Sequence, residues 1–330
     1  MSFERRREIS ILFGDPNRGM RMQYRAALRS EGFTRLHEFD TLENFPALFK
    51  QAQPDLVFMD AAMPAGDATR VVHALRHGEL SDNPFVPVIV ATWDASRPVV
   101  RRIIDSGADD ILVKPLSTQA ISGRIQALAS GRKPFVVTAD YIGPDRRRSG
   151  GRSDNSAALL AVPNPLRAKL DGVATNGDDF LSQVASMRSQ ISRLRLRAAA
   201  FRIAFAAGQL GDSLQPEGAA AETAAMLLDG LLVSAMEIHG RTVDEADQAP
   251  AHALCDTLLK TARPLAEAGM NGTRENCSRM TALQEAATQL LLHFHPDRDA
   301  HALAADVAAA IARFRTRQTA LASGALPAGS

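Results

Sequence analysis

The chain has little cysteine, few aromatic side chains, no excess of either charge and no long apolar run. Its two cysteines, Cys255 and Cys277, follow no metal or redox spacing, which leaves them as reduced thiols of a cytoplasmic protein. Aromatic residues make up 5% of the chain, and the abundance of Ala favours helices. Lys+Arg 38 against Asp+Glu 37 gives a formal charge of +1, so no global field draws the chain to nucleic acid or to a membrane. Any partner must be recognised locally. The charged stretch Glu4 to Glu8 runs into an apolar segment that ends at Asp15. That segment is far shorter than a membrane span and has no small-residue cleavage site, so the expected location is the cytoplasm. No helix-turn-helix, nucleotide-cyclase, phosphodiesterase or P-loop motif is present, and no enzyme is expected.

What is present, in 330 residues, suits two domains. The first 130 residues alternate short apolar runs with helical periodicity. Ile9–Phe13, Leu36–Phe39, Asp55–Met59, Val86–Ala91 and Ile111–Val113 read as strands. Arg18–Glu31, Leu42–Ala52, Asp67–His77, Val99–Ser106 and Thr118–Ala129 read as helices. Repeated βα units predict a doubly wound parallel sheet with helices on both faces and a site beyond the carboxyl ends of the strands. Four polar residues stand at those ends: Asp15, Asp60, Thr92 and Lys114.

The run Asp55-Leu56-Val57-Phe58-Met59-Asp60-Ala61-Ala62-Met63-Pro64, with Thr92 after Pro87–Ala91 and Lys114-Pro115 after Ile111–Val113, resembles the receiver domain of two-component response regulators. The resemblance covers about residues 8 to 130. It implies a flavodoxin-like sheet of order 2-1-3-4-5 and a phosphorelay role in which Asp60 is the phosphoacceptor. Asp15, Asp60 and the backbone carbonyl of Ala62 would hold Mg²⁺. Lys114 would pair with phosphoryl oxygens, Thr92 would donate its hydroxyl to them, and the Lys114-Pro115 bond would be cis. A sensor histidine kinase or a phosphotransfer protein would be the phosphodonor.

Three positions depart from the family pattern. Gly14 stands where the first of two acids is usual, which weakens the expected hold on Mg²⁺. Ile111 replaces the aromatic switch residue three positions before Lys114. Trp93 follows Thr92 where a small residue is common, as a ring that either screens the phosphoryl group or contacts partners. Asp40, Asp94, Asp109 and Asp110 read as solvated caps or loop acids.

From 131 to 175 the composition turns to Gly, Pro, Ser and Arg, the mark of a linker. Within it, Tyr141-Ile142-Gly143-Pro144-Asp145-Arg146-Arg147-Arg148 matches a string that follows receivers in some bacterial regulators. A solvated basic run is the simpler reading. The alternative docks Arg146, Arg147 and Arg148 on acidic groups of the receiver or of a partner.

Residues 176–320 read as a helical bundle and 321–330 as a tail. The positions Phe180, Val184, Met187, Ile191, Leu194, Ala198, Phe201 and Phe205 step by four and three, an apolar seam for a bundle neighbour or, along helix 178–208, for a second copy in a homodimer. Further seams run through Leu231, Leu258, Leu290 and Ile311, punctuated by Gly240, Gly269 and Pro296. Ala251-His252-Ala253-Leu254 is similar to a phosphohistidine segment, but Cys255 and Asp256 replace the Lys and Gly that follow in that family, so His252 reads as an ordinary surface or core histidine. His293 and His295, two positions apart, make a poor metal pair. The output predicted for the whole is protein binding. Its rivals are a receiver-fold scaffold that no longer switches and a nucleic-acid binder acting through Arg146 to Arg152.

Overall fold

Apolar runs too short for helices and rich in β-branched residues become the strands of a parallel sheet in the computed structural model, which describes residues 3–146, 158–211, 219–243, 246–268 and 273–322. A short helix α1 (Phe3–Arg6) leads into β1 (Ser10–Gly14), α2 (Arg18–Ser30), β2 (Arg35–Phe39), α3 (Phe45–Ala52), β3 (Leu56–Asp60), α4 (Ala68–Arg76), β4 (Val88–Thr92), α5 (Arg97–Asp105), β5 (Asp110–Val113) and α6 (Thr118–Gly131). The strand order is β2-β1-β3-β4-β5, and every neighbouring pair is parallel. Alternation along the strands gives each face its own core. Ile11, Phe13, Leu56, Phe58 and Ile89 pack beneath one helical layer, whereas Leu12, Val57, Met59, Val88 and Val90 pack beneath the other. The register aligns Gly14 with Met59, Asp60 with Ala91 and Thr92 with Val113. The first residues past these strands therefore emerge along one edge.

The stretch after α6 is more ordered than its composition suggests. Strands β6 (Phe135–Val137) and β7 (Ile142–Pro144) form an antiparallel hairpin, and α7 (Pro165–Leu170) follows. Phe135, Ile142 and Leu166 are buried, with Leu166 joining the receiver core. Gly143 explains its place in the motif, because a Cβ there would lie 2.7 Å from the Gly107 Cα and 2.6 Å from the Tyr141 hydroxyl. The basic run is accordingly not wholly solvated: Arg146 Nη2 donates to the carbonyls of Ala108 at 2.8 Å and Asp109 at 2.7 Å. Arg147 and Arg148 lie outside the described residues.

Five longer helices follow: α8 (Asp178–Gly211), α9 (Ala219–Thr242), α10 (Ala249–Ala268), α11 (Arg274–Phe294) and α12 (Ala300–Ala322). The chain divides into residues 1–191 and 192–330, a boundary that falls inside α8. The second unit is built on Ile203, Leu210, Leu231, Ile238, Leu258, Leu283 and Leu290, with many alanines between. The heptad seam of α8 holds at Phe180, Val184 and Ile191 and then moves to Ala199, Ile203, Ala206 and Leu210. A straight helix of 3.6 residues per turn cannot keep a 3.5-residue seam on one side, so the buried face drifts. From Ala199 to Leu210 that face is covered by the core of its own chain. Gly240 does not end a helix but lies within α9, where packing outweighs an intrinsic penalty of about 1 kcal/mol. Gly269 is outside the described residues, and Pro296 follows the C-cap of α11.

Candidate functional site

The carboxyl ends of β1, β3 and β5 bring Asp15, Asp60 and Lys114 together, with their side chains almost fully buried. Asp15 and Asp60 are delivered by fully buried strands and Lys114 by the partly exposed β5, and the parallel register of the sheet sets their spacing. Lys114 Nζ donates to Asp15 Oδ2 at 2.5 Å and stands against Asp60 Oδ2. Asp15 Oδ2 also accepts from the Tyr24 hydroxyl at 2.9 Å, and Asp15 Oδ1 from the Asn17 amide at 2.9 Å. Asp60 Oδ1 accepts from the Ala62 amide at 2.6 Å. Asp60 Oδ2, although close to the ammonium, is buried with no aligned hydrogen bond. Of the four carboxylate oxygens, it alone accepts no hydrogen bond.

Burial, and next the charge of Asp15, raise the Tyr24 phenol far above its ordinary pKa. It remains a neutral donor at any physiological pH. Two carboxylates and one ammonium then leave a formal charge of −1 among the three ionised groups. That surplus and an all-oxygen donor set, including an Asp60 Oδ2 that is ion-paired but accepts no hydrogen bond, suit a hard divalent cation. Tyr24 had no sequence signal beyond its place on the helix after Asp15. Its ring packs edge-on against Phe58, with centroids 4.8 Å apart, and this contact aims the hydroxyl.

Thr92 ends β4 nearby; its hydroxyl donates to the Asp94 carbonyl at 3.2 Å and accepts from the Asp94 amide at 3.1 Å. Trp93 is 63% exposed, and its ring centroid lies 5.6 Å from Lys114 Nζ, close enough for a cation–π contact. Lys114-Pro115 is cis. Ile111 packs half-buried against the core of one sheet face.

Gly14 proves to be a packing requirement as well as a missing acid. A Cβ at this position would lie 2.3 Å from the Phe39 ring, which is buried and packs edge-on against Phe45 at 5.3 Å. A second carboxylate cannot enter beside Asp15 while that ring stays.

Asp109, read from the sequence as a solvated acid, is fully buried at the start of β5. Its Oδ2 accepts from Arg76 Nη2 at 2.7 Å and the Val88 amide at 2.8 Å, and its Oδ1 from Arg132 Nε at 2.7 Å. Both guanidiniums lie by the Phe135 ring, 5.3 and 4.7 Å from its centroid. Arg76, with no exposed side-chain surface, also donates to the carbonyls of Pro84, Val86 and Gly107. Burial draws its pKa down to about 10, against the opposing pull of Asp109. A second hidden acid, Asp55, accepts from Lys169 of α7 at 2.7 Å. Burial raises its pKa, and Lys169 only partly offsets that.

Residues 11–126 match the model of the response regulator receiver domain. The chain is 31% identical over 177 residues to the response regulator MprA of Mycobacterium avium, covering 48% of this chain and 75% of that one. It is 29% identical over 120 residues to the transcriptional regulatory protein PdtaR of Mycobacterium tuberculosis, covering 36% and 56%. Among solved structures, the signal receiver domain of the response regulator NarL from Mycobacterium tuberculosis is 26% identical, covering 38% of this chain and 98% of that one at a TM-score of 0.34. The receiver domain of the sensor histidine kinase PA1611 from Pseudomonas aeruginosa, with magnesium in its cleft, is 23% identical, covering 36% and 94% at a TM-score of 0.33. With the sheet order, the receiver-domain match and the likeness to MprA together, the chain belongs to the response-regulator family of two-component signalling.

Proposed function

We propose that Asp60 is the phosphoacceptor of a phosphorelay, working with Mg²⁺, and that the change in charge it undergoes is read by a protein partner. The observation that carries this is the buried Asp60 Oδ2, which lacks a hydrogen-bond partner and faces the Lys114 ammonium. Asp60 Oδ2 attacks phosphorus in line. A P–O bond forms as the P–N bond of a phosphohistidine donor breaks, and the departing imidazole takes up a proton. The Ala62 amide holds Asp60 Oδ1 and so fixes which oxygen is presented. Mg²⁺ supplies neutralisation of the phosphoryl oxygens, and Asp15, Asp60 and the Ala62 carbonyl are the groups that would hold it. Lys114 then exchanges its carboxylate contacts for the phosphoryl oxygens, and Thr92 turns its hydroxyl from Asp94 towards them. The Trp93 ring beside Lys114 screens that arrangement from water.

The packing of Phe39 against Gly14 favours a second reading, a receiver-fold scaffold that binds the cation too weakly to switch. The two are separated by incubating the full chain with acetyl phosphate and Mg²⁺ and following intact mass. One phosphoryl group on wild type and none on Asp60→Ala is the expected result. Equal, Asp60-independent labelling, or no labelling, would leave the scaffold.

A further inference from the structure

One cluster outside the receiver has the composition of a metal site. His239 of α9 and His252 and Asp256 of α10 each offer a ligand atom, and these atoms lie within 4.8 Å of one another. We propose that they bind a borderline divalent transition ion, Zn²⁺ above all, through two imidazoles and one carboxylate.

The placement follows from the fold. Helices α9 and α10 are consecutive and joined by a short connection, which makes them antiparallel neighbours. His239 lies one turn before that connection and His252 one turn after it. His252 and Asp256 are four residues apart on α10, the spacing that sets two side chains on one face. The backbone beneath is held firmly, because Ile238, Ala251 and Cys255, each next to a ligand residue, are fully buried. The ligands themselves are reachable: the His239 and Asp256 side chains are 32% and 45% exposed.

The hydrogen bonds sort the nitrogens. Thr242 Oγ1 donates to the carbonyl of Ile238 at 2.9 Å, which leaves its oxygen to accept from His252 Nδ1, 3.4 Å away. With the proton on Nδ1, His252 Nε2 is the bare nitrogen, and a hydroxyl behind the ring is the usual support for a metal-binding imidazole. His239 Nε2 stands 3.0 Å from Asp256 Oδ1, near the roughly 3.3 Å that separates two ligands of a tetrahedral Zn²⁺ with bonds of about 2.0 Å. The His239 and His252 rings are stacked with centroids 3.9 Å apart, so an ion bound by both would require one ring to rotate out of the stack. Lys260 is the nearby competing cation, with Nζ 4.0 Å from Asp256 Oδ2; it faces the oxygen that the ion does not need. Two imidazoles, one carboxylate and an open position for water describe an ion that is neither hard like Mg²⁺ nor thiolate-seeking.

A rival lies in the receiver, where His73 of α4 and the C-cap His77 stack at 3.8 Å without a third ligand in any such cluster among the described residues. Titration of the full chain with Zn²⁺, in excess Mg²⁺ to hold the receiver carboxylates, separates the two sites. Wild type takes up one equivalent tightly. His252→Ala and Asp256→Asn, the latter close to wild type in shape, weaken uptake by more than about 100-fold, and Thr242→Val by about 10-fold. His73→Ala leaves uptake unchanged. With Co²⁺ as the probe, visible absorption from nitrogen and oxygen ligands without a thiolate charge-transfer band is expected. Uptake that survives Asp256→Asn, falls with His73→Ala, or shows the thiolate band overturns the assignment.

Discussion

In one buried cluster of the receiver, Asp15 and Asp60 surround Lys114; in another, Arg76 and Arg132 surround Asp109. The first has a surplus negative charge and an oxygen left without a hydrogen bond. The second has a surplus positive charge, and its acid accepts from two guanidiniums and a backbone amide. Desolvation penalises both clusters, yet only the second recovers it through complete hydrogen bonding. Two sites of similar make-up thus differ in saturation: the acid of one has its hydrogen bonds filled, while the other keeps an oxygen that accepts none, which is what the proposed phosphorelay role asks of Asp60.

The comparison breaks most sharply at Asp109. Asp109→Ala leaves two buried guanidiniums facing each other, and urea unfolding should show a loss of about 3–5 kcal/mol at neutral pH. Burial opposes the charge of Asp109, but Arg132 and then Arg76 outweigh it and hold the carboxyl below its usual range. A depressed acid contributes stability that is present above its unfolded pKa of about 3.9 and is lost as pH falls through the folded value. The gap between wild type and Asp109→Ala should therefore narrow below about pH 4, and a gap that stays constant would count against the ion-pair account.

Gly14→Asp, which restores the missing acid, should cost about 1–3 kcal/mol because the new side chain meets the Phe39 ring. Combining it with Phe39→Ala should relieve that clash and tighten Mg²⁺ binding relative to wild type, as read by Tyr24 or Trp93 fluorescence. The smallest effect is expected at Asp60. Asp60→Asn removes the surplus charge and keeps the Ala62 contact, so stability should stay within about 1 kcal/mol of wild type. A loss as large as that of Asp109→Ala would erase the distinction between the clusters.

The receiver was legible because its central strands β1, β3 and β4 are buried on both faces and therefore read as unbroken apolar runs, each followed by or ending at a polar residue that the sheet must bring to one edge. Asp15, Asp60, Thr92 and Lys114 needed only that logic. The hairpin was not legible, since strands of three residues carry no period and their Gly and Pro belong equally to coil. Nor was Asp109, whose burial depends on arginines 33 and 23 positions away. No local pattern separates such an acid from the exposed Asp94, 15 residues earlier. In α8 the error lay in extending a heptad past the point where a straight helix can follow it. His239 and His252 meet only because two helices pack, and nothing near either residue announces the other.

Strand β5 is four residues long, about 13 Å from end to end. Just past its far end is Lys114, paired with Asp60. At its near end the carbonyls of Ala108 and Asp109 are gripped by Arg146. The basic motif is thus tied, through Arg146, to the opposite end of the rod from the lysine.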